Sequence, residues 1–231
     1  PTSVLTSLLP EARAFGVSPN KARTMMTQAG NSPRSARFAP SRSFASIAKR
    51  TNDQKHDGFR TMGNVSEQYT FSELLGTGAF AEVWRVSHKE TGEHFACKSI
   101  CKQAIKKNAG GVDAIAHEIS NHMRVGSSSR RKGASSSGVI EFHGAIEDRS
   151  HIHLIMDVCN GGDLFDEVMA KRVDERKARD VMQVVAGAVH HCHENSIAHR
   201  DIKPENFAFG CASGEVSSLK LLDFGLSRSF A

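Results

Sequence analysis

Long apolar runs are missing from this 231-residue chain: none reaches 18 residues, so the sequence predicts no membrane-spanning helix. Cysteine is sparse, with five residues at positions 97, 101, 159, 192 and 211 that lack the spacing of a zinc finger. An odd, dispersed set of this kind argues against a disulfide framework and indicates reduced thiols in an intracellular protein.

Acidic residues are almost absent from the first 50 positions, where eight Lys and Arg accompany a single acid, Glu11, for a net charge of +7. The whole chain carries +5, so the other 181 residues sum to −2. A basic surface of the kind that binds nucleic acid therefore does not extend beyond residues 1–50. We expect no nucleic-acid partner.

Residues 1–65 differ in composition from the rest of the chain. Five of the six prolines fall in the first 40 residues, and Ser, Ala and Arg recur without helical or strand periodicity. Such a segment cannot bury enough apolar area to offset its chain entropy, which predicts a disordered, basic tail. The same composition also occurs in organelle transit peptides, so organelle targeting stays open beside the expected cytoplasmic location.

Regular patterns begin at Tyr69. Apolar runs bounded by turn residues predict strands at Tyr69–Leu75, Ala81–His88, His94–Ile100, Val139–Glu147 and His151–Met156. Between the third and fourth runs, Ile115, Ile119 and Met123 lie four residues apart, which predicts an amphipathic helix over residues 112–123.

The second half of the chain has a helical pattern. Six apolar positions here are separated by three, four or seven residues, as on a helix: Ala178, Val181, Met182, Val185, Val189 and Cys192. Asp174, just before them, is a typical N-cap. Short apolar runs then follow at Phe207–Phe209 and Leu219–Leu222. A strand-rich part followed by a helix-rich part predicts an α+β protein with two lobes over residues 69–231.

A glycine-bearing turn joins the first two predicted strands in the run Leu75-Gly76-Thr77-Gly78-Ala79-Phe80-Ala81-Glu82-Val83. Glycines in such a turn let backbone N–H groups approach nucleotide phosphates without an intervening side chain. The run is not a Walker A loop, since no Gly-Lys-Ser/Thr follows. By itself, this pattern is more often a structural turn.

Lys98 ends the run Phe95-Ala96-Cys97-Lys98 on the third predicted strand, and Glu118 lies twenty residues later in the amphipathic helix. A lysine oriented by a carboxylate can place a cation at the α- and β-phosphates of a nucleotide. Either residue alone would be a surface charge by default.

The run His199-Arg200-Asp201-Ile202-Lys203-Pro204-Glu205-Asn206 carries the strongest chemical signal. Asp201 can accept the proton of an attacking hydroxyl, Lys203 can neutralise a transferring phosphoryl group, and Asn206 can hold a metal ion. A charged loop without function is a poor alternative at this spacing.

Asp223-Phe224-Gly225 follows a predicted strand, seventeen residues after Asn206. A carboxylate at a strand end suits Mg²⁺, which prefers hard oxygen ligands and phosphate oxygens. Asp223 and Asn206 are therefore the candidate metal ligands.

The four motifs, in this order and spacing, resemble the protein kinase superfamily from about Tyr69 to Ala231. Three runs are similar to the calcium/calmodulin-dependent kinase group, and particularly to the EF-hand-fused calcium-dependent kinases of plants, algae and protists: Cys159–Asp166, Lys203–Phe207 and Asp223–Ser227. Lys203 after Asp-Ile points to serine or threonine as the acceptor. The resemblance implies ATP and Mg²⁺ as cofactors, a protein substrate, and a calcium sensor (fused EF-hands or calmodulin) outside these residues.

The resemblance also assigns residues to a nucleotide site. It implies that the walls are formed by Leu75, Gly76, Gly78, Val83 and Ala96. It makes Lys98 the residue that binds the phosphates, oriented by Glu118. Met156 would be the gatekeeper, Asp157–Cys159 the hinge that bonds adenine through its backbone, and Asp163 a neighbour of the ribose or the substrate. Arg200 would link Asp201 to the activation segment.

Three features depart from the kinase pattern. Ala81 stands where the family has a third glycine in its loop. His122, four residues after Glu118, stands where the family packs an apolar residue into its regulatory spine. A low-complexity Ser/Arg insert at residues 126–138 replaces a short loop and is expected to be a solvated spacer.

The sequence ends six residues after Gly225 and contains no D-x-D-x-D-G calcium loop. We therefore expect a fragment of a longer kinase, with a complete first lobe and a truncated second lobe, that transfers phosphoryl groups poorly by itself. The alternative is a pseudokinase or inactive fragment that binds only nucleotide or partners. The residues that argue against a pseudokinase are Lys98, Glu118, Asp201, Asn206 and Asp223.

Overall fold

The computed structural model describes residues 59–60, 63–106, 111–126 and 137–230. Most of the predicted tail at residues 1–65, and most of the predicted insert at residues 126–138, lie outside the described residues. The described part nevertheless reaches into the segment assigned to the tail, with a short strand at Phe59–Arg60 (β1) and a helical turn at Val65–Gln68 (α1).

The first lobe is built on an antiparallel sheet formed by the five strands that the sequence predicted. Its five strands are β2 (Tyr69–Thr77), β3 (Ala81–His88), β4 (His94–Cys101), β5 (Phe142–Glu147) and β6 (His151–Asp157). With β1 included, the order across the sheet is β1-β5-β6-β4-β3-β2. The sheet has six strands instead of five because β1 pairs in parallel with Ala145 and Ile146 at the edge of β5.

The start of β5 differs from the prediction, which placed it at Val139. Val139 instead forms an isolated bridge with Leu221, and the Ile140 N–H donates to the Leu221 carbonyl over 3.1 Å. The predicted run from Val139 to Glu147 therefore forms backbone bonds with both lobes. Hydrophobic periodicity does not reveal such a division.

Two helices complete the first lobe: α2 (Lys102–Lys106) and α3 (Gly111–Gly126). The predicted amphipathic pattern of α3 is confirmed, since Ile119 is fully buried and Ile115 and Met123 pack against the same core. This core also includes Ala208 and Leu222, which lie beyond α3 in sequence and join the two lobes.

The second lobe contains α4 (Leu164–Met169) and the long helix α5 (Glu175–Glu194). Short strands follow at β7 (Ile197–Ala198), β8 (Phe207–Phe209), β9 (Leu219–Leu221) and β10 (Arg228–Ser229). Single 3₁₀ turns lie at Pro204–Asn206 and Val216–Ser218. Within the described ranges, no helix is both long and apolar enough to cross a bilayer.

The predicted N-cap and the predicted buried face of α5 had different outcomes. The Asp174 side chain accepts a hydrogen bond from the Lys177 N–H over 2.7 Å and caps the helix, as predicted. Val181 and Cys192 are buried, but Met182 is 60% exposed. Its assignment to the apolar face was wrong, since Met182 lies one residue beyond Val181 and so about 100° around the helix.

Candidate active site

A cleft opens between the lobes, beneath the turn that joins β2 and β3. Its lining includes eight residues that the motifs assigned to a nucleotide or metal site: Gly76, Gly78, Val83, Lys98, Glu118, Met156, Asn206 and Asp223. These residues come from elements more than 140 positions apart in the chain. The fold therefore brings the separate motifs together at one place.

The turn over the cleft is closed by a bond from the Gly78 N–H to the Ala81 carbonyl over 2.7 Å. Ala81 is the first residue of β3 and is not among the described non-glycine residues with positive φ. Alanine therefore meets the backbone requirement at this position, and a third glycine is not needed there.

Lys98 lies at the centre of the charged part of the cleft. Its Nζ is 2.6 Å from Glu118 Oε1 and 2.9 Å from Asp223 Oδ1. Burial alone would lower the pKa of Lys98, but the charges of Asp223 and Glu118 outweigh burial and raise it above the usual lysine value. The side chain therefore remains cationic over the physiological range.

Asp223 extends from the end of β9 with a φ of +54°, a left-handed conformation that is strained for a non-glycine residue. Its side chain is 52% exposed to the cleft. The charge of Lys98 lowers the pKa of Asp223 to about 2, against the opposing effect of burial. A fixed carboxylate thus faces the cleft in a strained backbone, which is common at functional sites.

Asp201 is held by two neighbours from its own loop. Lys203 Nζ lies 2.6 Å from Asp201 Oδ2, and the Asn206 amide donates to the same oxygen over 2.9 Å. Burial would raise the pKa of Asp201, but the bonds from Lys203 and Asn206 dominate and lower it. The carboxylate is therefore ionised and oriented at neutral pH.

The loop that carries Asp201 is anchored to the strand before Asp223. The His199 Nε2 and the Leu222 carbonyl oxygen are 2.8 Å apart, and the Leu222 N–H donates to the Asn206 carbonyl over 2.8 Å. Arg200 has a φ of +66°, and its Nε donates to the Leu226 carbonyl over 2.7 Å. Backbone bonds thus fix the two predicted metal ligands, Asn206 and Asp223, relative to each other.

The donor set at Asn206 and Asp223 fits a hard divalent cation. The Asn206 amide nitrogen is committed to Asp201, with bonds of 2.8 Å to the carbonyl and 2.9 Å to the side chain. This arrangement directs the other amide atom, the oxygen, away from Asp201 as an acceptor. An amide oxygen and a carboxylate at the same cleft are the ligand types that Mg²⁺ prefers.

The cleft lining does not include five of the residues assigned to the nucleotide site: Leu75, Ala96, Asp157, Cys159 and Asp163. Leu75 and Ala96 are buried in the first-lobe core behind the cleft, and Ala96 pairs with Met156 across β4 and β6. The Asp157 N–H donates to the Glu141 carbonyl over 3.1 Å. Cys159 is buried, and burial raises the pKa of its thiol to about 12, which fits a packing role.

Asp163 has a structural role in addition to its predicted one. Its side chain accepts a bond from the Asp166 N–H over 2.8 Å and caps α4, and the residue is only 5% exposed. Its assignment to the ribose or substrate stays a prediction.

The motif assignments omitted polar residues on α3 that contact the Asp223 segment. His122 lines the cleft and stacks on Phe224, with ring centroids 4.7 Å apart. His122 thus occupies the place where the kinase pattern has an apolar residue. Asn121 donates to Ser227 over 2.9 Å. His122, singled out as a departure from the kinase pattern, was the available signal, and the sequence offered none for Asn121.

Comparisons with known proteins show similarity to protein kinases. The family model described as protein kinase domain matches residues 69–231. Calcium-dependent protein kinase 22 of Oryza sativa subsp. japonica is 37% identical over 172 residues, which is 74% of this chain and 29% of that protein. Calcium-dependent protein kinase 12 of Arabidopsis thaliana is 36% identical over 166 residues, which is 71% of this chain and 32% of that protein.

The chain spans about 30% of the length of these relatives. The family match covers both lobes and the motifs described above, and the resemblance stated from the sequence is confirmed. The chain belongs to the protein kinase domain family.

Proposed function

We propose that the protein carrying this chain is an ATP- and Mg²⁺-dependent serine/threonine protein kinase that acts in calcium-linked signalling. The observation that supports this most is the single cleft at which Lys98, Glu118 and Asp223 form one ion-pair network. The loop of Asp201, Lys203 and Asn206 lies beside it. Protein kinases as a family use ATP and a divalent metal, and these residues have the charges that such ligands require.

Lys98 and the glycine turn would hold the nucleotide. The ammonium group of Lys98, oriented by Glu118, would meet phosphate oxygens. Val83 and Met156 in the cleft lining, with the buried Ala96 behind them, would enclose the base. Asn206 and Asp223 would hold Mg²⁺, which would supply positive charge to offset that of the phosphates. Together these residues would position the γ-phosphoryl group near Asp201.

Asp201 would orient the acceptor hydroxyl and take its proton. As the hydroxyl oxygen bonds to the γ-phosphorus, the bond from that phosphorus to the β–γ bridging oxygen breaks, and ADP leaves. Lys203, 2.6 Å from Asp201, supplies positive charge where the transferring group becomes most negative. The protein thus contributes position and charge to an in-line transfer.

The proposed partners are protein substrates and a calcium sensor. The named relatives are calcium-dependent protein kinases, which supports calcium control of the whole protein through EF-hands or calmodulin. A cytoplasmic location is proposed from the dispersed cysteines alone.

The test uses the natural full-length protein, ATP and a basic peptide with one serine. We expect Mg²⁺-dependent phosphorylation of that peptide, none of the matched peptide with alanine at the acceptor, and a rise in rate when calcium is added to protein kept in chelator. Nucleotide binding without any transfer to a panel of serine and threonine peptides would support the pseudokinase alternative instead. Transfer without a calcium response would remove the calcium part of the proposal only.

A further inference from the structure

Three side chains join the hairpin above the cleft to the second lobe. Arg85 lies on β3 two residues after Val83, which lines the cleft, so the two residues share one face of the strand. Arg85 Nε lies 2.8 Å from Glu73 Oε2 on β2, and Arg85 Nη1 donates to Asn160 Oδ1 over 2.9 Å. The proposed reaction gives no role to any of these three side chains.

Glu73 orients the guanidinium group of Arg85. The two residues lie directly opposite each other in the ladder between β2 and β3, and their ion pair uses the Nε side of the group. The guanidinium is planar with its donors in a rigid fork, so holding Nε also fixes the direction of Nη1. Both strands of the hairpin are therefore tied to the bond that Arg85 forms with Asn160.

Asn160 is attached to the second lobe by its backbone. Its N–H donates to the Gly210 carbonyl over 3.2 Å, and the next N–H, of Gly161, donates to the Phe209 carbonyl over 2.9 Å. A side chain at Gly161 would collide with the Cys211 carbonyl oxygen, so the chain here lies directly against the end of β8. The Asn160 side chain is thus carried by the second lobe although it bonds to the first.

We propose that Arg85 and Asn160 are positioning residues that hold the hairpin of β2 and β3 closed over a bound nucleotide and thereby slow its release. The hairpin carries Gly76, Gly78 and Val83 of the cleft lining, so movement of the hairpin away from the second lobe opens the cleft. This inference rests on the proposed nucleotide site.

The exposure of this link indicates where its effect should be found. The Arg85 side chain is 26% exposed and Asn160 is exposed, so water competes for their bond and the contribution to global stability is small. Local opening costs far less free energy than global unfolding, and a weak bond changes it proportionally more. We therefore expect an effect on nucleotide release and little effect on the free energy of unfolding.

The test follows radiolabelled ADP as it leaves the natural full-length protein in Mg²⁺ and excess unlabelled ADP. Arg85→Met keeps the apolar stem but removes the donors, and Asn160→Ala removes the acceptor. Each should speed release by about two- to fivefold, as expected for an exposed charged link. The double variant should be no faster than the faster single variant, because both remove the same bond.

Asn160→Asp should have the opposite effect. A carboxylate accepts a stronger hydrogen bond from the Arg85 guanidinium than an amide does, so release should slow, and high salt should reduce that change. In the Arg85→Met background, Asn160→Asp should not slow release. This comparison separates the bond from the added charge.

Arg172→Met is the matched control. Arg172 Nε lies 2.7 Å from Glu167 Oε1, which makes an exposed arginine pair like that of Arg85, but both partners belong to the second lobe. Release should stay at the unsubstituted rate. Because a first-order release rate refers only to folded protein with ADP bound, a loss of stability by itself would not change it.

The results separate this inference from the proposed function. If Arg85→Met and Asn160→Ala both speed ADP release, the inference holds even where no peptide is phosphorylated. If they leave release unchanged, or if Asn160→Asp speeds release as Asn160→Ala does, the inference is wrong although transfer is intact. If the unsubstituted protein binds no ADP, both the nucleotide site and this inference are overturned.

Discussion

Lys98 and Ser99 are neighbours in β4, yet they belong to polar networks on opposite faces of the sheet. On the cleft face, Lys98 joins Glu118 and Asp223, which lie 20 and 125 positions away in sequence. On the outer face, Ser99 Oγ lies 2.9 Å from His153 Nδ1, and His153 Nε2 lies 3.0 Å from Asp148 Oδ2. The two side chains diverge because successive residues of a strand point to opposite faces.

The two networks differ in how much of their charged side chains stays exposed. In the outer network, Ser99 and His153 are buried, and Asp148 also accepts bonds from the Ser150 and His151 N–H groups that close the turn between β5 and β6. These polar groups bond to one another across the paired strands β4 and β6 or to the turn that follows β5. In the cleft network, Asp223 keeps half of its side chain exposed to the cavity. An exposed charge held by distant elements distinguishes a candidate site from a structural cluster.

The largest expected effect comes from breaking the cleft network at Asp223. Asp223→Asn keeps the side-chain shape but removes the negative charge, so Mg²⁺-dependent phosphoryl transfer should fall by about 10³-fold or more. Thermal unfolding should remain cooperative, which circular dichroism can check. Transfer at the unsubstituted rate would show that Asp223 is not a metal ligand.

Asp201→Asn should reduce transfer by about 10²- to 10⁴-fold, because the amide cannot take the hydroxyl proton. ATP affinity should be nearly unchanged, since Asp201 is assigned to the acceptor and not to the nucleotide. Steady-state rates and equilibrium binding on the same preparation measure both quantities. A parallel loss of ATP binding would contradict this division of roles.

Substitution in the outer network should lower stability and leave the kinetics unchanged. Ser99→Ala removes the bond to His153 and should lower the free energy of unfolding by about 1–3 kcal/mol, because a buried group loses its partner. The Michaelis constant for ATP should stay the same, although Lys98 is adjacent. Denaturant unfolding and kinetics give the two values. A change in the kinetics without a loss of stability would mean that the outer network also shapes the cleft.

The smallest effect at neutral pH concerns the buried ring of His122. Its pKa is lowered from the ordinary value of 6.5 to about 4, so below pH 6.5 the unfolded chain takes up a proton that the folded chain does not. The contribution of His122 to the free energy of unfolding is therefore fully present above pH 6.5 and is lost as the pH falls toward 4. His122→Leu should make the free energy of unfolding less dependent on pH over this range. An unchanged pH profile would show that His122 does not titrate in this way.

Much of the candidate site could be predicted because its chemistry is local in sequence. Asp201, Lys203 and Asn206 lie within six positions, and their bonds to one another are formed inside a single loop. The strands were also predictable, since each has a run of apolar residues between turn residues. Boundaries were less reliable: β5 begins at Phe142, three residues after its prediction.

The sequence by itself determined which residues carry the charges and the approximate order of strands and helices. Only the tertiary structure decided that Val139 pairs with Leu221, that β1 extends the sheet, and that Asn121 contacts Ser227, 106 positions away. The physical reason is that local patterns report how one element divides its own surface between core and solvent. The partner of a buried polar group depends on which distant element packs against it, and no periodicity records that choice.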